Sequence, residues 1–171
     1  MTMTLSTKLS LKASARLDGA VDLGSVGGTV AVAQAVTLAN GVAAGQADTV
    51  WQDRITLAAS ANQDIDLAGS LKDALGGAAA FARVKAIVIV ADAGNTNAVI
   101  VGGASSNAWT GLLGATHTVT LRKGAAFAVF AGAADDIAYA VTGGTGDLLR
   151  VANGGAGSSV SLDIIVIGAS A

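Results

Sequence analysis

The sequence predicts an all-β protein: an antiparallel β-sandwich or jelly-roll-like barrel with an extended N-terminal arm. Three observations predict it. Short Val/Ile-rich runs over 83–91, 116–121, 136–142 and 160–167 recur between Gly, Asn and Asp turn signals. All 12 acidic residues are Asp, the carboxylate that favours turns and caps over helix interiors. No helical periodicity alternates with the strand runs, which argues against a parallel doubly wound sheet.

The elements follow in order. Leu9, Leu11, Ala13, Ala15 and Leu17 share one parity, and Lys8, Ser10, Lys12, Ser14 and Arg16 take the other. Read as a strand, this is an apolar face backed by a basic stripe. The stripe suits either an ordinary solvated edge or an arm that docks on an acidic partner. Residues 18–48 are rich in Gly, Ala and Val, with a turn signal at Asn40-Gly41. They read as a loosely packed arm or a long loop with a short hairpin. The chain therefore divides into an N-terminal segment, 1–48, and a sandwich body, 49–171.

Within the body, Trp51, Ile55 and Leu57 share a strand face, and Ile65 and Leu67 begin a second short strand. Ser70 to Asp73 has the form of a weak capping box, predicting one helical turn before Gly76-Gly77. Residues 84–91 are apolar on both parities, as in a central strand covered on both sides, and 97–101 reads as its neighbour. Trp109 lies in a Ser/Asn/Gly loop, as a cover over the sandwich end or an exposed contact. Further strands fall near 117–122, 126–131, 136–142, 147–152 and 160–167. Turns at Lys123-Gly124, Gly143-Gly144 and 153–155 separate several of them.

Composition bounds the function. With 52% hydrophobic and 13% charged residues, the chain is not disordered, and its weakly charged surface predicts assembly with other subunits. A net charge of -2 gives no support for nucleic-acid binding, which calls for a basic face. The start lacks the charged and apolar regions of a signal peptide, and no apolar run has the length and purity of a membrane span. Synthesis in a cytoplasm is the expectation.

The residues hold little chemistry. Cysteine is absent and His117 is the single histidine, so the usual zinc constellations cannot form within one chain. Parity places His117 with Val119 and Leu121, as a partly buried strand residue. No Gly-x-Ser-x-Gly elbow anchors a triad. Asp64 and Asp66 flank Ile65 as two solvent-facing carboxylates, Asp135-Asp136 reads as a turn without EF-hand spacing, and 143–147 lacks the Lys of a phosphate loop. The reading is a structural or binding protein with no catalytic residues, cofactor or metal.

Five segments carry a resemblance: ADTVWQDRITL over 47–57, DIDLAGSL over 64–71, FARVKA over 81–86, GDLLRVAN over 146–153 and IIVIGAS over 164–170. Their order resembles that of a group of tailed-bacteriophage and prophage head proteins, similar to capsid decoration or cement proteins, and spans most of the chain from about Ala47. Where such proteins often have a Pro-Gly turn before a late strand, this chain has Lys123-Gly124. The resemblance implies a virion protein made in a bacterial cytoplasm, bound as a homotrimer to the outside of the shell. It would bridge neighbouring copies of the major capsid protein and have no catalytic residues. Lys8, Lys12 and Arg16, with Leu9 and Leu11, would then contact the capsid, and Trp109 would be a further loop contact. A minor tail or fibre protein, or a carbohydrate-binding jelly-roll module displaying Trp109 or Tyr139, would share the fold class.

Overall fold

A computed structural model of the chain describes residues 4–69 and 71–171. Twelve strands are present among them: β1 (Thr7–Val21), β2 (Gly24–Asn40), β3 (Gln46–Ala47), β4 (Thr49–Leu57), β5 (Asn62–Asp66), β6 (Arg83–Ala91), β7 (Val99–Gly102), β8 (Thr118–Leu121), β9 (Ala126–Phe130), β10 (Tyr139–Ala140), β11 (Leu148–Asn153) and β12 (Val160–Ala169). None of the described residues is helical.

Two antiparallel sheets form the body. One runs β4-β12-β6, with β9 and the two-residue β10 pairing along the far edge of β6; the other runs β5-β11-β7-β8. Taking β4 to β9, β11 and β12 in chain order as eight strands, the sheets are 1-8-3-6 and 2-7-4-5. That is the order of a jelly roll, in which successive strands alternate between sheets except the fourth and fifth, which are neighbours in one. The alternation seen in sequence fills the space between them. Trp51, Ile55 and Leu57 from β4, Ile87 and Ile89 from β6, and Leu162, Ile164 and Val166 from β12 meet Ile65, Val99, Val101, Leu121, Leu149 and Val151 from the other sheet.

Several expectations are corrected. The segment 97–101 does not neighbour β6; β7 lies in the opposite sheet, between β11 and β8. The run 136–142 forms only β10, because the Asp135 carboxylate accepts the amides of Ile137 and Ala138 and Ala138 turns at φ 52°. The proposed capping residue Ser70 lies outside the described residues. The segment after it forms no helical turn: Asp73 accepts the amides of Leu75 and Gly77, and Lys72 bridges Ala78 as a tight loop.

The largest departure is at the N-terminus. Neither a lone arm nor a loose loop is found there. β1 pairs with β2 from Thr7↔Leu38 to Val21↔Gly24, a regular antiparallel ribbon turned at Asp22-Leu23. The Asn40-Gly41 signal marks the far end of β2, where the chain doubles back so that β3 pairs parallel to it. At its base the ribbon covers part of the outer face of the β4-β12-β6 sheet. Val36, Leu38 and Ala47 pack there on Ala86 and Ile167, with Leu5, Leu9, Val50, Phe130 and Ile165 at the margin.

Candidate interaction surface

Period-two alternation on both ribbon strands gives the ribbon two unlike faces. The register places Leu9, Leu11, Ala13, Ala15, Leu17 and Val21 beside Val36, Gln34, Val32, Val30, Gly28 and Gly24, with Gly19 beside Val26. This face has no charged residue. The opposite face joins Lys8, Ser10, Lys12, Ser14, Arg16 and Asp18 to Thr37, Ala35, Ala33, Ala31, Thr29 and Gly27. At the base the apolar face is covered, with Val36 5% and Leu38 2% exposed. Beyond it the face is bare: Val30 is 70%, Val32 75% and Leu17 82% exposed, and Leu23 caps the tip in full solvent. An isolated two-stranded ribbon is marginal in water. Contiguous bare apolar surface of this kind marks an interaction site.

Within the base, the Leu5 amide donates to the Asn40 side-chain oxygen at 2.8 Å, and further bonds hold the base to the body. Asp48, just after β3, accepts the amide of Ser170 at 2.9 Å and its hydroxyl at 2.6 Å. The Arg83 guanidinium donates to the carbonyls of Asp136 (2.8 Å), Val42 (3.3 Å) and Ala171, tying the base, the loop before β10 and the last residue together. Beside it Lys85 is buried and donates to the Asp135 carbonyl at 3.0 Å. Burial, followed by the nearby Arg83 charge, holds the Lys85 ammonium below its ordinary range. Lys85 is the extra residue of a β-bulge, because Ile167 pairs with Ala86 while Gly168 pairs with Val84.

The five residues expected to contact a shell are divided by this geometry. Lys8 and Lys12 are exposed on the polar face, and neither has an ion-pair partner among the described residues. Arg16 shares that face but pairs with Asp18 at 2.7 Å, so the basic stripe reduces to two lysines. Leu9 is half-buried at the base, and Leu11, 52% exposed, faces the other way from the lysines. No flat partner touches all five. The valines of β2 were the residues missed. Their signal was present as alternation at Val26, Val30, Val32, Val36 and Leu38, obscured by the Gly and Ala between them.

Trp109 is not an exposed contact. It is 5% exposed within the core, and its indole N–H donates to the Ala140 carbonyl at 2.8 Å. Tyr139, half-buried, packs against the same core. His117 is exposed rather than partly buried, in the turn before β8, where its amide donates to the Gly114 carbonyl. Asp64 and Asp66 do not act as a pair. Asp64 receives a two-pronged bond from Arg150 at 2.7 and 2.8 Å, which holds its carboxyl below the usual range, while Asp66 accepts the Ala68 amide. In the 143–147 turn Asp147 is buried and accepts the Gly144 amide, so this loop is organised by its own carboxylate. Among the described residues no three His or Asp side chains group as a metal site, and no helix is long and apolar enough to cross a membrane. No family model, curated protein or solved structure matches this chain.

Proposed function

We propose that this chain is a structural protein of a virus particle that binds the outer surface of a tailed-phage capsid and stabilises the shell by bridging its major subunits. The observation that carries the reading is the two-faced ribbon on a jelly-roll body. Jelly rolls serve in viral shells, lectins and cupins alike, so the fold alone does not decide among them. A ribbon bare of body contacts over most of its length has no role within one folded chain, whereas a bridging protein needs such an element to span subunits. Buried Trp109 and half-buried Tyr139 leave a sugar-binding reading without its aromatic platform. Exposed His117 makes no side-chain hydrogen bond to an Asp or Ser among the described residues, which favours binding over hydrolysis.

The mechanism is mass action. A protein that binds only the mature shell stabilises it by RT ln(1 + [L]/Kd) at each site, summed over many symmetric sites. Lys8 and Lys12 face acidic groups on the shell in this reading, which makes binding salt-sensitive. The test is co-sedimentation with purified shells from the same source. The whole chain is expected to pellet with them. A variant with the ribbon shortened to a tight turn between Ser10 and Ala35 is expected to stay in the supernatant with its body folded. Undiminished pelleting of the shortened chain would overturn the ribbon's role, and no pelleting of the whole chain would overturn the reading itself.

A further inference from the structure

We propose that the outer half of the ribbon docks, by its apolar face, on the uncovered outer face of the β4-β12-β6 sheet of a second copy of this chain, so that copies join head to tail. Strand β6 carries the argument. Its sequence is apolar on both parities, the pattern of a strand covered on both sides. Ile87 and Ile89 face the core, and of the outward residues Ala86 is covered by the ribbon base. Further along, the cover stops. Val88 stands between Ala128 and Ile165, and Val90 between Ala126 and Asp163, with Val90 38% exposed. No ribbon residue lines the shallow groove over this strip. The open face of an antiparallel sheet is ordinarily polar. Here the charges keep to one side, where Arg54 pairs with Asp92 at 2.5 Å and with Asp163 at 3.6 Å.

Continuity names the occupant. At its base the ribbon already lays this apolar face on this sheet face, with Val36 and Leu38 against Ala86 and Ile167. β2 runs parallel to β3, and β3 leads through Asp48 into β4. The ribbon tip therefore lies beyond the Thr49 end of the sheet, away from Val88 and Val90. A second body set there in the same orientation continues the surface that the first sheet begins, and the ribbon reaches its bare strip before its ribbon base. The three rungs nearest the tip each carry one glycine on the apolar face: Leu17 with Gly28, Gly19 with Val26 and Val21 with Gly24. The gaps so left admit the branched side chains of Val88, Val90 and Ile165, as the faces of packed sheets interdigitate. The ribbon face brings no charge, and Arg54 keeps its own partners, so docking leaves no ion buried and unpaired. Because the giving and receiving surfaces differ, the contact is heterologous, and a closed set of copies is a ring in which each gives one ribbon and receives one. Lys8 and Lys12 stay on the outward face, so the contact stands whether or not the chain binds a shell.

Sedimentation velocity of the intact chain in the absence of shells is the first test, and a closed oligomer is expected. Leu17→Lys on the ribbon and Val90→Lys on the strip are each expected to weaken association at least about tenfold, as loss of a buried apolar anchor does. Ala31→Lys, on the polar face of the ribbon, leaves it unchanged. Near-ultraviolet circular dichroism of Trp51 and Trp109 reports that the body remains folded in each variant. Cross-linking decides which surfaces meet. The chain has no cysteine, so Val26→Cys and Val90→Cys place a single thiol on the ribbon or on the strip. A short bis-maleimide is expected to join the two variants when they are mixed, and to join neither to itself. A monomeric wild type, an oligomer indifferent to both lysines, or ribbon thiols joined only to one another would overturn the docking.

Discussion

Asp64 and Arg150 join β5 to β11 through two parallel bonds at the sheet surface, and their contribution depends on pH in a definite direction. The folded-state pKa of Asp64 lies below its ordinary value of 3.8. The stabilisation is therefore full above about pH 4 and lost as pH falls through the lowered folded value. Asp64→Asn is expected to cost about 1 kcal/mol at pH 7. Acid titration of stability should show a shallower loss in the variant; an unchanged acid limb would contradict the assignment. Lys85 has the opposite sign. Its folded pKa lies below 10.5, so the buried charge costs stability at neutral pH, and the cost is relieved as pH rises from the folded value towards 10.5. Lys85→Met is expected to raise stability by about 1 kcal/mol at pH 7, since apolar replacement of buried charge is often stabilising. Urea denaturation at pH 7 and 10 checks it, with the difference between variant and wild type shrinking at the higher pH. Neither partnership was legible in the sequence. A strand pattern puts Asp64 outward but does not name the strand beside it, and Lys85 lies in an apolar run that gives no sign of a bulge.

At the scale of elements, strands with regular alternation were legible, while those decided by distant partners were not. β6 and β12 follow their Val/Ile runs almost to the residue. β10 shrank because one carboxylate captured two amides that a longer strand would have used. Gly168 shows how backbone approach replaces pattern as the deciding factor. A Cβ there would lie 2.1 Å from the Arg83 carbonyl oxygen, at the bulge where β12 meets β6. Gly168→Ala is expected to destabilise the fold by about 2 kcal/mol, in the range of overpacking a tight site. A denaturation midpoint equal to that of the wild type would contradict this account of the bulge. The ribbon is the converse case. The first strand was legible from its leucines, but Gly and Ala in β2 read as loop composition although its four valines all fall on even positions. Its sequence lacks the bulk that a core strand has, and beyond its base it covers no part of the body.

For the whole molecule, composition and turn spacing were enough to place the chain among jelly-roll-like sandwiches, whereas strand order was not. Jelly-roll neighbours are distant in sequence, as in the pairing of β4 with β12, and no local pattern names them. The candidate surface was half legible: the lysines and leucines of β1 were visible, while the register that leaves one face free of charge from base to tip appears only with β2 in place. Shell binding through Lys8 and Lys12 is expected to weaken as screening increases. Pelleting with shells over a salt series checks it, and binding indifferent to salt would contradict the role given to the lysines. A protein that coats a capsid surface is abundant in the particle. The decisive measurement is the copy number of this chain relative to the major capsid protein, by quantitative mass spectrometry of purified particles. A ratio near one, or a simple fraction set by the lattice, is expected. A handful of copies per particle, or none, would contradict it.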